Sequence, residues 1–336
     1  MKKNSISLSL LIIVCGALHG QSYHFSQFFS TPLLTNPAHT GFTDGPYRVA
    51  SNFRSQGMSG GSPYFTGYIS ADFSPLKTYL PAGHKAGLGM YVMNDKSLNS
   101  ALQTNSIGLS AAYNVGLDQA GINSLGLGLQ GTYNQRRIDY SKLTFGNQFG
   151  SAGYNPSLPI GEALPFSSDV NKSYLDVNAG ISYNASLADK AFFAGASVYN
   201  ILRHKDNFLP EEFKMPTRYI FQAGSQIKAG EEGNVYFSLT HMGQANANET
   251  TIGGAYGLQL TNDGMKNEVT FGMWYRFKDA IIPYVGYYNK GFRLGLSYDY
   301  TVSDAKTGAQ IRNGYELTLM FSAIDKLTLK TSVPWY

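Results

Sequence analysis

Apolar and polar residues alternate with a period of two along most of the chain, from about residue 46 to residue 321. The segment 292–301 shows the pattern most clearly, because phenylalanine, leucine and tyrosine alternate there with arginine, glycine, serine, aspartate and threonine. Successive side chains of a β-strand point to opposite faces, so this period predicts strands with one apolar and one polar face. The alternation predicts fourteen strands, at about 47–54, 65–73, 86–92, 107–115, 125–133, 175–184, 191–201, 218–227, 233–242, 249–260, 267–277, 280–288, 292–301 and 313–322.

Strand length and the polar face together indicate a barrel in a membrane. A tilted strand needs about 9–11 residues to cross a bilayer, and most of the predicted strands reach that length. Their apolar face is bounded by Tyr and Phe, as the aromatic girdles of membrane barrels are, whereas the other face carries charges. Buried charge is costly in the core of a soluble sandwich, so the polar face is expected to line a lumen. We therefore predict an all-β fold, a transmembrane antiparallel β-barrel of about 14 strands, with Arg48, Arg54, Arg276 and Arg293 pointing inward or lying at an interface.

An even number of strands places both ends of the barrel on one side of the membrane, the periplasmic side in bacterial barrels. The long connections at about 134–174, 202–217 and 302–313 all follow odd-numbered strands, so they are predicted to face outside the cell. Two connections, 74–84 and 278–279, do not fit this asymmetry. Tyr154 and Phe208 lie in the long outer loops, and we expect them to take part in partner binding.

The first twenty residues have the features of a secretory signal peptide. A basic start at Lys2 and Lys3 is followed by a short apolar run and by small residues up to Gly20. The predicted organisation is a signal peptide (1–20), a pre-barrel periplasmic or plug segment (21–45), the barrel (46–322) and a periplasmic C-terminal tail (323–336). Cys15 is better explained as apolar filler of the signal than as a lipidation site, because Val14 before it is not small.

Composition excludes several other classes of protein. Beyond the signal there is no run of about 20 apolar residues, which a membrane-spanning helix requires. The net charge of +4 is scattered along the chain rather than clustered, so no nucleic-acid partner is expected. The one cysteine of the chain is Cys15, so the mature chain has no thiol for a disulfide or a thiolate metal site.

No motif predicts catalysis, a cofactor or a metal site. The glycines of the segment Gly126–Gly131 match a dinucleotide fingerprint by letter, but they lie inside an alternating strand instead of opening a helix. They are therefore predicted to face the lumen or to allow close packing. The histidines lack metal-ligand spacing, and a hydrolase assembled across strands stays open only as a third hypothesis, with His241 as its candidate histidine.

The segment between the signal and the barrel has no strand alternation but is rich in aromatic residues, proline and turn residues. Its apolar side chains should not be left in water, and its prolines lower the entropy cost of ordering it. We therefore predict an ordered element that tucks into the periplasmic mouth, occludes the lumen and shapes a docking surface. Its predicted partner-binding residues are His24, Phe25, Gln27, Asn36 and Pro37.

Several short motifs, taken in order, resemble one known family. These are His24-Phe-Ser-Gln27, Pro32-Leu33, Asn36-Pro37-Ala38, Gly41, Asn52-Phe-Arg54, Gly87-Leu-Gly89, Gly272-Met-Trp-Tyr-Arg276, Leu296-Ser-Tyr-Asp-Tyr-Thr301 and Gly314-Tyr-Glu-Leu-Thr-Leu319. Together they resemble the PorP/SprF family of type IX secretion membrane proteins over nearly the whole mature chain. The end of the chain departs from the family, which often has a Pro-Cys-Arg tail where this sequence reads Ser332-Val-Pro-Trp-Tyr336.

The resemblance implies a non-enzymatic outer-membrane component of the type IX secretion and gliding machinery in Bacteroidota. Its implied partners are outer-membrane lipid, a secreted cargo protein with a type IX C-terminal signal domain, such as an adhesin, and periplasmic ring or peptidoglycan-linked proteins. The implied mechanism is docking, without a cofactor. The main alternative is a passive or hydrophobic-solute channel similar to fatty-acid-transporter-like barrels.

Overall fold

The protein is a closed barrel of fourteen antiparallel strands, as the alternation predicts. The computed structural model describes residues 24–43, 45–58, 63–75, 79–81, 83–159, 170–206, 213–230, 233–260, 267–303 and 313–323. The predicted signal peptide, most of the predicted tail and Phe208 lie outside these ranges. The barrel strands are β1 (Tyr47–Gln56), β2 (Tyr64–Phe73), β3 (Lys85–Ser97), β4 (Leu102–Gly116), β5 (Asn123–Ile138), β6 (Val170–Ser186), β7 (Lys190–Tyr199), β8 (Arg218–Ala229), β9 (Gly233–Gln244), β10 (Ala247–Gln259), β11 (Asn267–Arg276), β12 (Ala280–Asn289), β13 (Phe292–Thr301) and β14 (Gly314–Ser322).

Each strand pairs with the next along the chain, and β1 closes the barrel against β14 from Arg48 opposite Ser322 to Gln56 opposite Gly314. The three longest connections, 139–169, 200–217 and 302–313, lie at the same end of the barrel, which we call the loop end. The opposite end, where β1 begins and β14 finishes, is the turn end. Long outer loops and short periplasmic turns are the usual asymmetry of such barrels.

The outer surface of the barrel is an apolar band. Leu109, Leu127, Leu129 and Leu175 are each at least 60% exposed and alternate with buried polar residues on the same strands. This alternation suits strands that have lipid on one side and a polar interior on the other. Within the described ranges, no helix is long and apolar enough to cross a membrane.

The predicted register is confirmed by the arginines. Arg48, Arg54 and Arg276 are almost completely buried inside the barrel. Arg293 is half-buried, and its guanidinium lies 5.5 Å from the ring centroid of Tyr288. All four side chains therefore avoid the lipid-facing band, where a cation costs about 2–4 kcal/mol at mid-depth.

The residues before the barrel fold into a compact element inside it. We call residues 24–43 the plug. Its three short helical turns are Phe28–Ser30, Pro32–Thr35 and Pro37–His39. Proline at the first helical position starts the second and third turns, because its fixed φ suits a helix and its missing N–H would be unpaired there. The Asn36 side chain caps the third turn by accepting from the Ala38 backbone N–H at 2.9 Å.

The prediction that this segment tucks into the periplasmic mouth is wrong in depth. The plug is ordered and buried from Phe25 to Thr43, and it runs along the whole lumen. Gly41 and Phe42 contact the turn end, where the Gly41 N–H donates to Asp72, whereas Ser26 bonds Asp299 and Glu316 near the loop end. Polar partners at both ends of the lumen hold the plug in place.

Candidate functional site

A layer of buried ionic groups holds the plug at the loop end. Glu316 of β14 accepts hydrogen bonds from two successive plug N–H groups, those of Ser26 at 2.7 Å and Gln27 at 2.8 Å. The Asn52 amide donates to the same carboxylate at 2.9 Å, and the Gln27 side chain donates to the Glu316 carbonyl at 3.1 Å. Because charge-assisted hydrogen bonds are the strong ones, Glu316 fixes this part of the plug in position.

Asp299 forms the second centre of the same layer. It lies 2.9 Å from Arg54 and 2.6 Å from Arg276, and both guanidiniums also donate to the Ser26 hydroxyl. The Ser26 hydroxyl donates to Asp299 at 2.7 Å. A buried carboxylate shared by two arginines offsets the cost of removing those charges from water, and the plug serine becomes part of the network.

His24 lies at the outer limit of this layer. Its Nε2 is 3.5 Å from Glu249 on β10, and its side chain is 20% exposed. With Arg218 and Gln244 it lines a narrow cavity of about 20 Å³. The plug residue farthest along the chain from the barrel therefore lies at the loop end.

A smaller ionic layer holds the other end of the plug. Arg48 and Asp72 form a fully buried pair, with the closest N–O distance at 2.7 Å. Arg48 also donates to the His39 carbonyl at 3.1 Å, and Asp72 accepts from the Gly41 N–H at 2.7 Å. Each member of this ion pair thus binds plug backbone as well as its partner.

Between the two layers, the plug packs against glycines on the barrel wall. A Cβ on Gly128 would overlap the backbone of Pro37, and a Cβ on Gly180 would overlap the Asn36 amide. The Asn36 side chain donates to the Ile181 carbonyl at 3.0 Å. The wall glycines are therefore needed for close approach, which agrees with the sequence interpretation of the Gly126–Gly131 segment. The alternation of glycine with leucine in the sequence indicates that the barrel wall allows close approach at these positions. It does not indicate that the plug is the segment that approaches.

Two apolar clusters fill opposite sides of the lumen. On one side, the Phe29 ring packs at centroid distances of 5.2 Å from Trp274 and 5.6 Å from Tyr284. On the other, Phe25 lies 6.1 Å from Tyr68, and Leu33 joins the same cluster. The aromatic wall side chains of these two clusters give the plug apolar contacts. An apolar segment can therefore fill a lumen whose other wall residues are polar.

Of the predicted partner-binding residues, Phe25, Gln27, Asn36 and Pro37 are all buried within the barrel. These four residues hold the plug in position. Substituting one of them would therefore affect a partner only indirectly, through a change in the plug. Only His24 among the predicted plug residues reaches the loop end with some exposure. Their part in partner binding stays a prediction.

Tyr154 lies on an exposed hairpin, Phe149–Gly150 with Gly153–Tyr154, inside the longest connection. Its ring centroid is 5.3 Å from that of Phe149. The hairpin thus presents two aromatic side chains to solvent.

Near the start of this connection, the Ser141 hydroxyl donates to Asp139 at 2.6 Å and, with the Lys142 ammonium, holds the pKa of Asp139 below its usual range.

His241, the candidate histidine of the hydrolase hypothesis, lies on the lipid-facing side of β9. Its Nδ1 is 2.7 Å from the Thr250 hydroxyl of β10. Among the described residues, no group of three or more histidine, cysteine, aspartate or glutamate side chains is arranged to hold a metal. The chemistry that the described lumen offers is ion pairing and hydrogen bonding to the plug.

Solved structures of other barrels resemble the fold at low sequence identity. The toluene transporter TbuX of Ralstonia pickettii is 10% identical, with 87% of this chain and 92% of that chain covered and a TM-score of 0.49. The toluene transporter TodX of Pseudomonas putida is 8% identical, with coverage of 89% and 93% and a TM-score of 0.49. A FadL homologue of Pseudomonas aeruginosa is 10% identical, with coverage of 85% and 92% and a TM-score of 0.47.

No curated protein matches the sequence. Residues 17–321 match the family described as type IX secretion system membrane protein PorP/SprF, which covers the plug and all but the last residue of the barrel. Because the match extends over most of the chain, it confirms the resemblance seen in the motifs. The protein belongs to the PorP/SprF family of type IX secretion system membrane proteins.

Proposed function

We propose that this barrel is a non-enzymatic docking component of type IX secretion in the outer membrane. In this proposal it supports export or surface anchoring of large secreted proteins, such as adhesins, that carry a type IX C-terminal signal domain. Periplasmic ring or peptidoglycan-linked proteins would bind at the turn end. The observation that carries the proposal is the buried plug, which occupies the lumen from one end to the other.

A plugged barrel suits docking for a physical reason. Ionic layers at both ends and apolar clusters between them make the plug and wall one packed body. A partner that binds a preorganised scaffold loses less entropy than one that must order it. The long loops then supply an exposed contact surface, with Tyr154 and Phe149 exposed on their hairpin.

The proposal is tested by measuring surface display of a reporter fused to a type IX C-terminal signal domain. Cells that lack the gene should lose the display, and the full chain should restore it. A variant whose segment 140–159 is replaced by a Gly-Ser linker should remain a heat-modifiable barrel in the outer membrane without restoring display. The control replaces the short loop-end turn 98–100, whose three residues have positive φ, by three glycines and should restore display. Normal display in cells without the gene would refute the proposal.

One feature favours the alternative function, a hydrophobic-solute channel. A groove of about 450 Å³ lies on the lipid-facing wall and is lined by Phe53, Pro283, Val285, Leu296 and Leu317 among others. Pro283 has no N–H to donate, and the pairing of β12 with β13 is interrupted between Ile281–Tyr300 and Tyr284–Ser297. The plug residue Gln27 lies directly behind this wall, because it donates to Ser297 at 3.1 Å.

Uptake of a fluorescent fatty acid into proteoliposomes distinguishes the two functions. A solute channel would accelerate uptake over protein-free vesicles, and a bulky residue in the groove, as in Val285→Trp, would slow it. A docking barrel would leave uptake at the protein-free rate.

A further inference from the structure

Three neighbouring strands are longer than the rest of the barrel wall. β4, β5 and β6 contain 15, 16 and 17 residues, whereas the other barrel strands contain 9 to 13. A tilted strand needs only about 9–11 residues to cross a bilayer. The pairing of β3 with β4, of β4 with β5 and of β5 with β6 is continuous up to the loop end. The alternation between the outward and the inward face therefore continues to the ends of these strands.

The outward face of this part of the wall changes from apolar to polar near the loop end. Ile107, Tyr133 and Leu175 lie in one row across β4, β5 and β6, and all three are exposed on the lipid-facing side. The next outward positions toward the loop end carry amide and hydroxyl side chains instead. We call this set the amide patch: Asn94, Gln103, Asn105, Gln135, Asn171 and Ser173.

The amides of the patch form a hydrogen-bonded chain across three strands. The Asn94 side chain donates to Asn105 at 2.6 Å, and the Asn105 side chain donates to Gln135 at 3.5 Å. Beside them, the Tyr133 hydroxyl donates to Ser173 at 2.8 Å. A side-chain amide has two donor hydrogens and an acceptor oxygen, so each member of the chain keeps further groups for a ligand. The patch is thus a row of donors and acceptors that is set in place before a ligand binds.

The patch lies at the depth of the lipid headgroups. The outward face of β5 from Leu125 to Tyr133 covers about 26 Å along the strand, or about 20 Å along the membrane normal at a tilt of about 40°. The apolar band of such barrels is roughly 25 Å tall and ends in an aromatic girdle, the position that Tyr133 occupies. The two outward rows beyond Tyr133 lie about 5 and 10 Å higher, and the headgroups add roughly 5–8 Å to each side of the hydrocarbon. Amide groups are costly in hydrocarbon, which agrees with this placement.

We propose that the amide patch binds the sugar headgroup of a glycolipid in the outer leaflet. The patch is continuous with the lipid-facing wall directly below it. A lipid whose acyl chains cover Ile107 and Leu175 therefore places its headgroup against the amides. Hydroxyl groups both donate and accept, as amides do, so a sugar can pair with a row of amides, whereas a choline headgroup has no donor. The inference concerns the lipid around the barrel and goes beyond the proposed docking function.

The test measures which lipid the full chain retains. The protein is reconstituted in vesicles of equal parts phosphatidylcholine and digalactosyl diacylglycerol. This glycolipid is neutral, so its retention separates hydrogen bonding from attraction to Lys96 and Arg137, which share the outward face beside Gln103. After extraction in a phosphocholine detergent, native mass spectrometry counts the bound lipids. We expect the glycolipid to exceed phosphatidylcholine about threefold or more, because several hydrogen bonds distinguish the two headgroups.

Paired variants locate the preference in the patch. Asn105→Ala/Gln135→Ala removes two linked amides and should abolish the preference for the glycolipid. The matched control, Asn246→Ala/Asn248→Ala, removes two amides from the loop-end hairpin between β9 and β10 and should keep the preference. The exchange Asn105→Gln/Gln135→Asn retains both amide groups and should also keep it. Heat-modifiable migration in a gel verifies that each variant is folded.

Equal retention of the two lipids by the full chain, or a loss of preference in the control as large as in the patch variant, would overturn the inference. A protein partner is the other occupant that the test can reveal. If Asn105→Ala/Gln135→Ala loses reporter display while the full chain shows no preference for the glycolipid, the patch contacts a protein, and the inference fails while the docking function stands.

Discussion

At the scale of single residues, the lumen is organised by buried charges that the plug completes. Glu316, Asp299 and Asp72 each bind a barrel side chain and a plug atom at once. Removing one member of a buried ion pair costs more than the pair contributes, because the remaining charge stays buried without compensation. The same few ionic groups therefore stabilise the barrel wall and hold the plug in position.

Asp299→Asn should destabilise the folded barrel by about 3–5 kcal/mol, since Arg54 and Arg276 would lose their shared carboxylate. The matched control is Asp279→Asn, which removes the other partner of Arg276 from a 44% exposed position and should cost about 0–1 kcal/mol. Urea unfolding in lipid vesicles, followed by tryptophan fluorescence, gives both values. Equal effects of the two substitutions would show that burial does not control this network.

Gly128→Ala should also lower stability, by about 1–3 kcal/mol, because the added methyl overlaps the Pro37 backbone. Gly131→Ala on the same strand is the control, since a methyl added at Gly131 would meet no other atom within 4 Å. The temperature at which each variant loses its fast-migrating folded form in a gel reports the difference. A shift for Gly131→Ala as large as for Gly128→Ala would refute the packing argument.

At the scale of elements, the plug is the piece that decides whether the barrel is open. Deleting residues 24–40 should convert a weakly conducting protein into one with stable ionic currents in planar bilayers. The reason is that the deletion removes the apolar side chains of Phe29 and Leu33 and leaves a polar wall. The full chain is the control. Large steady currents through the full chain would contradict an occluded lumen.

The turn between β4 and β5 is held by a single carboxylate. Asp118 accepts from the Ile122 N–H at 2.8 Å and from the Asn123 N–H at 2.6 Å. The bond from the Ile122 N–H is the main reason that the pKa of Asp118 lies below its usual range, and the Asn123 N–H adds to it. Because the folded pKa is lowered, the stabilisation is present above about pH 4 and is lost as the pH falls through the folded value.

Amide exchange measures this effect directly. Protection of the Ile122 and Asn123 amides, corrected for intrinsic rates, should be high at pH 5 and should fall as the pH drops below the folded pKa of Asp118. Asp118→Ala should abolish this protection already at pH 5. Protection that stays constant down to pH 2 would show that the carboxylate does not hold the turn.

At the scale of the whole molecule, the chain passes through its own barrel. The plug enters at the turn end beside Asp72 and reaches the loop end at His24, so the strands close around it. His24 should therefore be reached from the same side of the membrane as the long loops, although the barrel itself begins at the turn end.

Single-cysteine labelling tests this topology, because the only cysteine of the chain is Cys15. In intact cells, a membrane-impermeant maleimide should react quickly with Tyr154→Cys, more slowly with the half-buried His24→Cys, and not with Ala188→Cys in the β6–β7 turn. Lysed cells should show labelling of all three. Reaction of Ala188→Cys but not of His24→Cys in intact cells would reverse the assigned topology.

The sequence by itself determined the strands, their number and the faces of their residues. Period-two alternation is a local property, because it depends only on which side of a strand meets lipid, and so the inward direction of Arg48, Arg54, Arg276 and Arg293 followed from it. That the plug is an ordered segment was also predictable, since its apolar residues and prolines lie close together in the sequence. These features need no knowledge of which strands meet.

Only the tertiary structure decided where the plug lies and which groups bind it. Asp299, Glu316 and Asp72 are far from Ser26 and Gly41 in the chain, and closure of the barrel brings them together across the lumen. The register likewise sets Arg136 opposite Lys172 across a long loop. Contacts of this kind depend on which distant segments meet. Alternation along one strand gives the face of each residue, but it does not show how deep in the lumen the neighbouring plug residue lies.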